Sequence, residues 1–351
     1  MRIAVQYANL TIGADGNVVG HEAGDTLVRR LLRVFPGASL VGDHARHYPD
    51  LEVITTDMAA VDDTVLINMD VVTSVQSYSA IKAAGCAHPQ IMNFVWWDAG
   101  RYSDPVEVAA MALSCALFPT FTNSQRTQHT VEDLIKRWVV RPLAERAHIA
   151  GVNLGIRMEH VQPRTATEVP VVLYPAIYMD ERKRPDLFFE IVSKVVKRTP
   201  ILVEARLAES GIITDPAMRL SRERWAKVGP LIPSRDQYWA GLARTTAFVA
   251  TAEEESYGLE YVEALVAGVI GIFPDKDWAR AILPDKYPYF YTNAQHGEDL
   301  LVAAVTDPDG CRQALDEAAG GSFADWLNQH HNDDEFESEI ARQVGQWFPD
   351  Q

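Results

Sequence analysis

Short apolar runs rich in Val, Ile and Phe alternate with amphipathic stretches of helical period along most of this chain, and that alternation restricts it to layered α/β folds. Residues 3–8 read as a first strand, followed by a loop carrying Gly13, Gly16, Gly20 and Gly24. A helix is expected from Asp25 or Thr26, with Leu27, Val28, Leu31, Leu32 and Phe35 on its core face. Strands are predicted at 40–41, 52–54, 64–68, 90–96 and 120–123, and helices at 75–84, 109–117 and 127–138. Residues 161–170 are polar and bracketed by prolines, which suits a linker. The alternation then restarts, with strands at 171–174, 201–204, 225–228, 246–250 and 270–273 and helices at 185–197 and 235–242. Residues 323–348 have helical spacing. The expectation is two α/β domains with mostly parallel sheets, over 1–165 and 166–320, and a helical segment over 321–351.

A length of 351 residues exceeds one ordinary core and agrees with that division. The formal charge of −16 argues against a surface that coats nucleic acid, because counterion release needs clustered Lys and Arg. It leaves room for a local basic pocket that takes a phosphorylated small molecule. Cys86, Cys115 and Cys311 are odd in number and widely spaced, so buried reduced thiols are expected rather than a disulfide framework or a zinc site. The first residues run directly into a strand without a signal-like apolar segment, and no apolar stretch approaches the ~18 residues of a membrane span. A soluble, cytoplasmic protein is the expectation.

The most informative stretch is 250–268. An apolar strand ends at Ala250, an acidic turn follows, and a helical pattern runs from about Ser256 to Gly268. Leu259, Glu263 and Val266 fall on one helical face, so two apolar residues would draw a carboxylate towards the interior, where it needs a polar partner. Glu255 sits where the helix begins, beside outward-facing N–H groups. Arg182-Lys183-Arg184 precedes Pro185 at another helix start, a place for an anion or simply a solvated basic turn. In the first half, His21 and Glu22 are the notable side chains of the glycine-bearing loop, which either approaches a ligand or is a mobile surface loop. Asp98 follows a strand end, where α/β sheets bind ligands, and could equally cap a turn. Asn123-Ser124 reads best as a helix cap.

The run from Glu255 to Glu263, Glu-Ser-Tyr-Gly-Leu-Glu-Tyr-Val-Glu, resembles the E-x7-E signature of retaining GT-B glycosyltransferases, especially family 4. The usual string there is E-S-F-G-L-x-x-x-E-A, and the likeness continues through Ala264 and Gly268. Residues 228–243 resemble the family's strand-Gly segment and the helix before the motif, and 171–195 the segment that opens its nucleotide-binding domain.

The resemblance implies a GT-B fold: two Rossmann-like domains facing across a cleft, with a C-terminal helix crossing back to the first. Glu263 would bind the ribose hydroxyls of a nucleotide-diphosphate sugar, and Glu255 would contact the donor sugar. Ser256, Tyr257, Gly258 and Leu259 would offer contacts to the diphosphate, and Lys183 would neutralise it as it leaves. The position five before that lysine, usually Arg in relatives, is Tyr178, so Arg182 or Arg184 would supply the second positive charge. His21 and Glu22 would line the acceptor and donor side in the first domain, and Asp98, near where relatives often hold a His, would join Glu255 and Lys183 as a catalytic candidate. No metal or cofactor is implied, and the acceptor (glycan, small molecule, protein or modified base) is open. A sugar-nucleotide epimerase or hydrolase of the same architecture, and a decayed module that only holds a nucleotide, are the other readings.

Overall fold

The computed structural model describes residues 1–20, 22–232 and 234–349. Its contacts divide the chain into two compact units, Met1–Leu154 with Asp334–Gln351, and Gly155–Asp333. The first division therefore falls at 154/155, eleven residues before the 165/166 suggested by the polar stretch. The helix Phe323–His331 groups with the second unit, and the helix Asp333–Trp347 lies almost wholly in the first.

In the first unit, β1 (Arg2–Gln6), β4 (Ser39–Val41), β5 (Arg46–His47), β6 (Glu52–Ile54), β7 (Thr64–Asn68), β8 (Gln90–Val95), β9 (Thr120–Thr122) and β10 (Ile149–Gly151) form one sheet, ordered β10-β9-β8-β7-β1-β4-β6-β5. All its pairs are parallel except β5 with β6. Because β7 and β8 are covered on both faces, they read as continuous apolar runs. The two amides buried in them are satisfied: Asn68 donates to Ser74 Oγ at 2.8 Å, and Asn93 accepts from Ser74 Oγ at 2.5 Å and donates to the Ser114 carbonyl at 3.0 Å. The C-terminal helix adds Phe336 to this core, 5.9 Å from the Phe94 ring and 5.8 Å from Phe121.

The glycine-bearing loop is more ordered than its composition suggests. It folds into a hairpin of β2 (Thr11–Ile12) and β3 (Val18–Val19), turned at Gly16 with φ 84°. Arg29 straps it to the first helix by donating to the Val18 and Gly20 carbonyls at 3.0 Å each. That helix, Ala23–Val34, begins two residues before the expected Asp25, with Glu22 at its N-cap position and Asp25 accepting from the Glu22 amide at 3.3 Å.

The second unit holds β11 (Val171–Tyr174), β12 (Leu202–Leu207), β13 (Ala226–Pro230), β14 (Ala247–Val249), β15 (Ile270–Pro274) and β16 (Phe290–Tyr291), ordered β13-β12-β11-β14-β15-β16 and parallel throughout. This is the doubly wound order, with its reversal between β11 and β14. Phe248, Tyr261, Phe273 and Trp278 form an aromatic core beside that point. The helices Ala294–Thr306 and Pro308–Ala319 were not anticipated, because Ala and polar residues blur their apolar faces, nor were the short helices Glu209–Ile212, Asp215–Ser221 and Asp277–Arg280. Residues 161–170 have no regular structure and are mostly exposed, as their composition suggests, but the segment is tied to the second unit. Thr165 N donates to the Ala243 carbonyl at 3.0 Å, and the Arg164 guanidinium reaches the carbonyls of Leu242 at 3.0 Å, Ala267 at 3.3 Å and Thr245.

Candidate functional site

Where an open parallel sheet reverses its strand order, the loops leaving the two strands diverge and leave a crevice at their carboxyl ends. In the second unit those loops are 175–184, after β11, and 250–258, after β14. They are stitched together through the backbone. Thr251 Oγ1 donates to the Lys183 carbonyl at 2.7 Å, and Glu253 N to the Arg182 carbonyl at 2.9 Å. Lys183 and Glu255, predicted from sequence on separate motifs, meet here.

The Lys183 ammonium donates to Glu255 Oε1 and, at 3.2 Å, to Glu260 Oε1; Tyr261 Oη donates to the same Glu255 oxygen at 3.1 Å. The side chains of Lys183 and Glu255 are only 20% and 14% exposed, so solvent screens this cluster weakly. Burial alone would lower the Lys183 pKa, but Glu260 and Glu255 together outweigh it and hold the ammonium above its usual value. Burial pushes Glu255 above the usual carboxylate range, with Lys183 opposing and Glu260 reinforcing the shift. Two carboxylates thus share one ammonium, leaving an excess negative charge in a partly dry site.

The helix of the motif, Leu259–Val266, starts later than Ser256 because Gly258 at its N-cap takes φ 80°. A Cβ there would come within 2.6 Å of the Tyr261 ring, so the turn requires glycine in both conformation and space. The buried face of the helix is Tyr261, Val262, Ala264 and Leu265. Leu259, Glu263 and Val266 share the less buried face, yet the Glu263 side chain is only 13% exposed, so its carboxylate is drawn inward as expected while the two apolar residues flanking it stay half-exposed. The expectation of a polar partner holds. Glu263 Oε1 accepts from Arg235 Nη2 at 2.7 Å and Oε2 from Tyr238 Oη at 2.7 Å. Both donors stand on the helix Arg235–Arg244, one turn apart. Burial, then Glu263, raises the Tyr238 pKa well above its ordinary value, so it donates as a neutral phenol.

Of the remaining motif residues, Ser256 is half-buried in the turn and Leu259 opens the helix. Tyr257 points inward: its hydroxyl accepts from Gly155 N at 3.1 Å and meets His331 Nδ1 at 2.7 Å. Arg182 is largely exposed and 3.4 Å from Asp180. Arg184 lies 3.2 Å from Glu253, which Lys276 also contacts. Arg184 has φ 49°, the one positive φ outside glycine among the described residues, directly before Pro185. Neither left-handed backbone nor this pre-proline setting suits a long side chain, so local strain sits beside Lys183.

Asp98 and Glu22 belong to the first unit. Asp98 Oδ1 accepts from Gly100 N at 3.1 Å, so its carboxylate caps a turn. His21 lies outside the described residues. Sequence reasoning missed Glu260, Arg235, Tyr238 and Tyr261. The i, i+3 spacing of Arg235 and Tyr238 marked a shared helical face, but nothing in the sequence linked that face to Glu263.

No family model and no curated protein matches the sequence. Solved structures do match the fold. Sucrose-phosphate synthase from Thermosynechococcus elongatus superposes with TM-score 0.73 at 12% identity, covering 99% of both chains. HepE from Anabaena, in complex with UDP and glucose, gives 0.70 at 12% identity over 98% of this chain and 99% of its own. α,α-Trehalose 6-phosphate synthase from Burkholderia multivorans gives 0.68 at 11% identity over 98% and 97%. These are GT-B glycosyltransferases, and the chain has the same fold class, two Rossmann-like α/β units.

Proposed function

We propose that this protein is a glycosyltransferase that moves a sugar from a nucleotide-diphosphate donor to an acceptor hydroxyl or amine, with retention at the anomeric carbon and without a metal. The observation that carries the proposal is the meeting of Lys183 and Glu255 at the strand-order reversal between β11 and β14, with Glu263 on the half-exposed face of the helix that follows. Nucleotide-binding sites of doubly wound sheets lie at this place. The HepE neighbour, which carries UDP and glucose, supports a uridine diphosphate donor.

As the bond from the anomeric carbon to the donor phosphate breaks, negative charge builds on the departing diphosphate. A fixed ammonium and nearby guanidinium groups stabilise that charge more than they stabilise the intact donor, which is the condition for catalysis. Lys183 supplies the ammonium; Arg184, or the more exposed Arg182, supplies the second cation in place of the arginine absent at Tyr178. Glu263, oriented by Arg235 and Tyr238, accepts hydrogen bonds from the ribose. Glu255 contacts the donor sugar, and the turn through Ser256, Tyr257 and Gly258 offers backbone to the phosphates, with Leu259 beside it. Asp98 is proposed as a further catalytic group, and the loop of His21 and Glu22 as the one that lines the acceptor. No side chain is assigned as a nucleophile.

A panel of nucleotide sugars, read first by thermal shift and then by product analysis with and without candidate acceptors, tests this. Lys183→Ala and Glu263→Ala should each cut transfer strongly. Near-normal donor turnover in both variants would overturn the assignment, and an altered sugar nucleotide formed without acceptor would indicate an epimerase or hydrolase.

A further inference from the structure

The outer face of the helix Pro105–Leu117 is apolar and uncovered. Val106, Leu113 and Leu117 are 74%, 40% and 46% exposed, and with Ala110 they follow one helical stripe, opposite the buried Met111 and Cys115. The helix Gln125–Trp138 lies against it. Both helices are crossovers in the parallel run β8-β9-β10, so both return over one face of the sheet and end at the same edge. At that edge Trp138 is 46% and Val140 71% exposed. Single exposed apolar residues are ordinary, but an apolar stripe on one helix with an exposed tryptophan and valine at the end of the helix packed beside it marks a contact surface.

Charge at this corner has the opposite sign to the chain. Residues 136–148 hold Lys136, Arg137, Arg141 and Arg146 against Glu145 alone, in a protein of net charge −16. Lys136 is 3.3 Å from Asp133 and Arg141 is 2.7 Å from Glu145, but all four side chains are well exposed, so these pairs neutralise little. Glu107 and Glu132 are the other carboxylates within the two helices.

We infer that this corner docks on an anionic bilayer surface, with Leu113, Leu117, Trp138 and Val140 entering the headgroup boundary and the four basic residues facing the anionic headgroups. A two-fold contact between copies through the same corner would set like charges against each other, which disfavours a dimer here. Among the described residues no helix is long and apolar enough to cross a membrane, so the contact lies in the plane of the surface.

The test is co-sedimentation of the full chain with vesicles of phosphatidylcholine alone and with vesicles part-substituted by phosphatidylglycerol. Binding should require phosphatidylglycerol and fall as salt rises. Arg137→Gln and Arg146→Gln should each weaken it roughly fivefold. Trp138→Ala with Val140→Ser should weaken it while leaving the thermal midpoint unchanged. The salt series on the unaltered protein tests the idea without any variant. Equal binding to both vesicle types, binding to neither, or a concentration-dependent dimer that Val140→Ser dissolves would each overturn it.

Discussion

The Tyr257 hydroxyl stands 2.7 Å from Nδ1 of His331, and the other imidazole nitrogen stands 3.0 Å from the Ile282 carbonyl. A carbonyl can only accept, so Nε2 carries the proton and Nδ1 accepts from Tyr257, which in turn accepts from Gly155 N. The network is complete with a neutral histidine. It joins the turn after β14 to Gly155 and to the end of the helix Phe323–His331, the places where the chain enters and leaves the second unit.

That neutrality sets a pH dependence. Burial, with a smaller contribution from His330, lowers the His331 pKa to about 4, below its ordinary value, so the unfolded chain takes up a proton that the folded one refuses. Stability is full above the unfolded pKa and falls as pH drops towards 4, by up to about 3 kcal/mol. Urea unfolding between pH 7 and 4.5 reads this loss. In His331→Gln, whose amide can accept and donate without titrating, that component of the slope should vanish.

Tyr238→Phe removes the phenol donor to Glu263, leaving that of Arg235, and changes little volume. A hydrogen bond to a charged group contributes about 1.5–3 kcal/mol. On the proposed reading, in which Glu263 holds the ribose away from the breaking bond, the loss should appear as a donor KM raised roughly tenfold, with a smaller change in kcat. Steady-state kinetics with the preferred donor decides this.

Lys183→Met leaves Glu255 and Glu260 facing each other without their ammonium. The expected destabilisation is about 2–3 kcal/mol at neutral pH, short of the full cost of a dry pair because Glu260 is a third exposed. The Glu255 carboxyl is then raised further, so the penalty exists above its unfolded pKa and is relieved as pH falls. Adding Glu255→Gln should restore most of the stability at pH 7 but none of the transfer. Denaturation midpoints at two pH values, with activity alongside, separate the two effects.

Gly271 in β15 has no room for a side chain. A Cβ would lie 2.4 Å from the Phe273 ring and 2.7 Å from that of Phe248. Gly271→Ala should cost about 1–3 kcal/mol by overpacking the aromatic core, read as a lowered unfolding midpoint.

The strand-helix alternation was legible because apolar runs and amphipathic helices differ in period, and both sheets follow from it. The acidic turn and Lys183 were legible as places to look, each at a strand or helix end. What eluded sequence reading depends on long-range packing. Glu260 differs from other surface glutamates only in that the β11 loop brings Lys183 to it. The most buried side of that helix was misjudged because Leu259 and Val266 are apolar yet half-exposed, while Tyr261 takes the core; the Glu263 carboxylate is nonetheless drawn in. The helices over 294–319 were missed because alanine is compatible with either face.

Arg164 spans the carboxyl ends of two helices at once, those carrying Arg235 with Tyr238 and Glu260 with Glu263. A cation suits the negative ends of both helix dipoles, and here burial, then Arg312, holds the guanidinium down to about 10, still charged at neutral pH. By composition, residues 161–170 are the natural place to cut this protein, splice in a tag or open a circular permutant. The bonds of Arg164 make them a poor one, because severing that segment would loosen, from behind, the two helices that hold the Glu263 carboxylate and its donors in place.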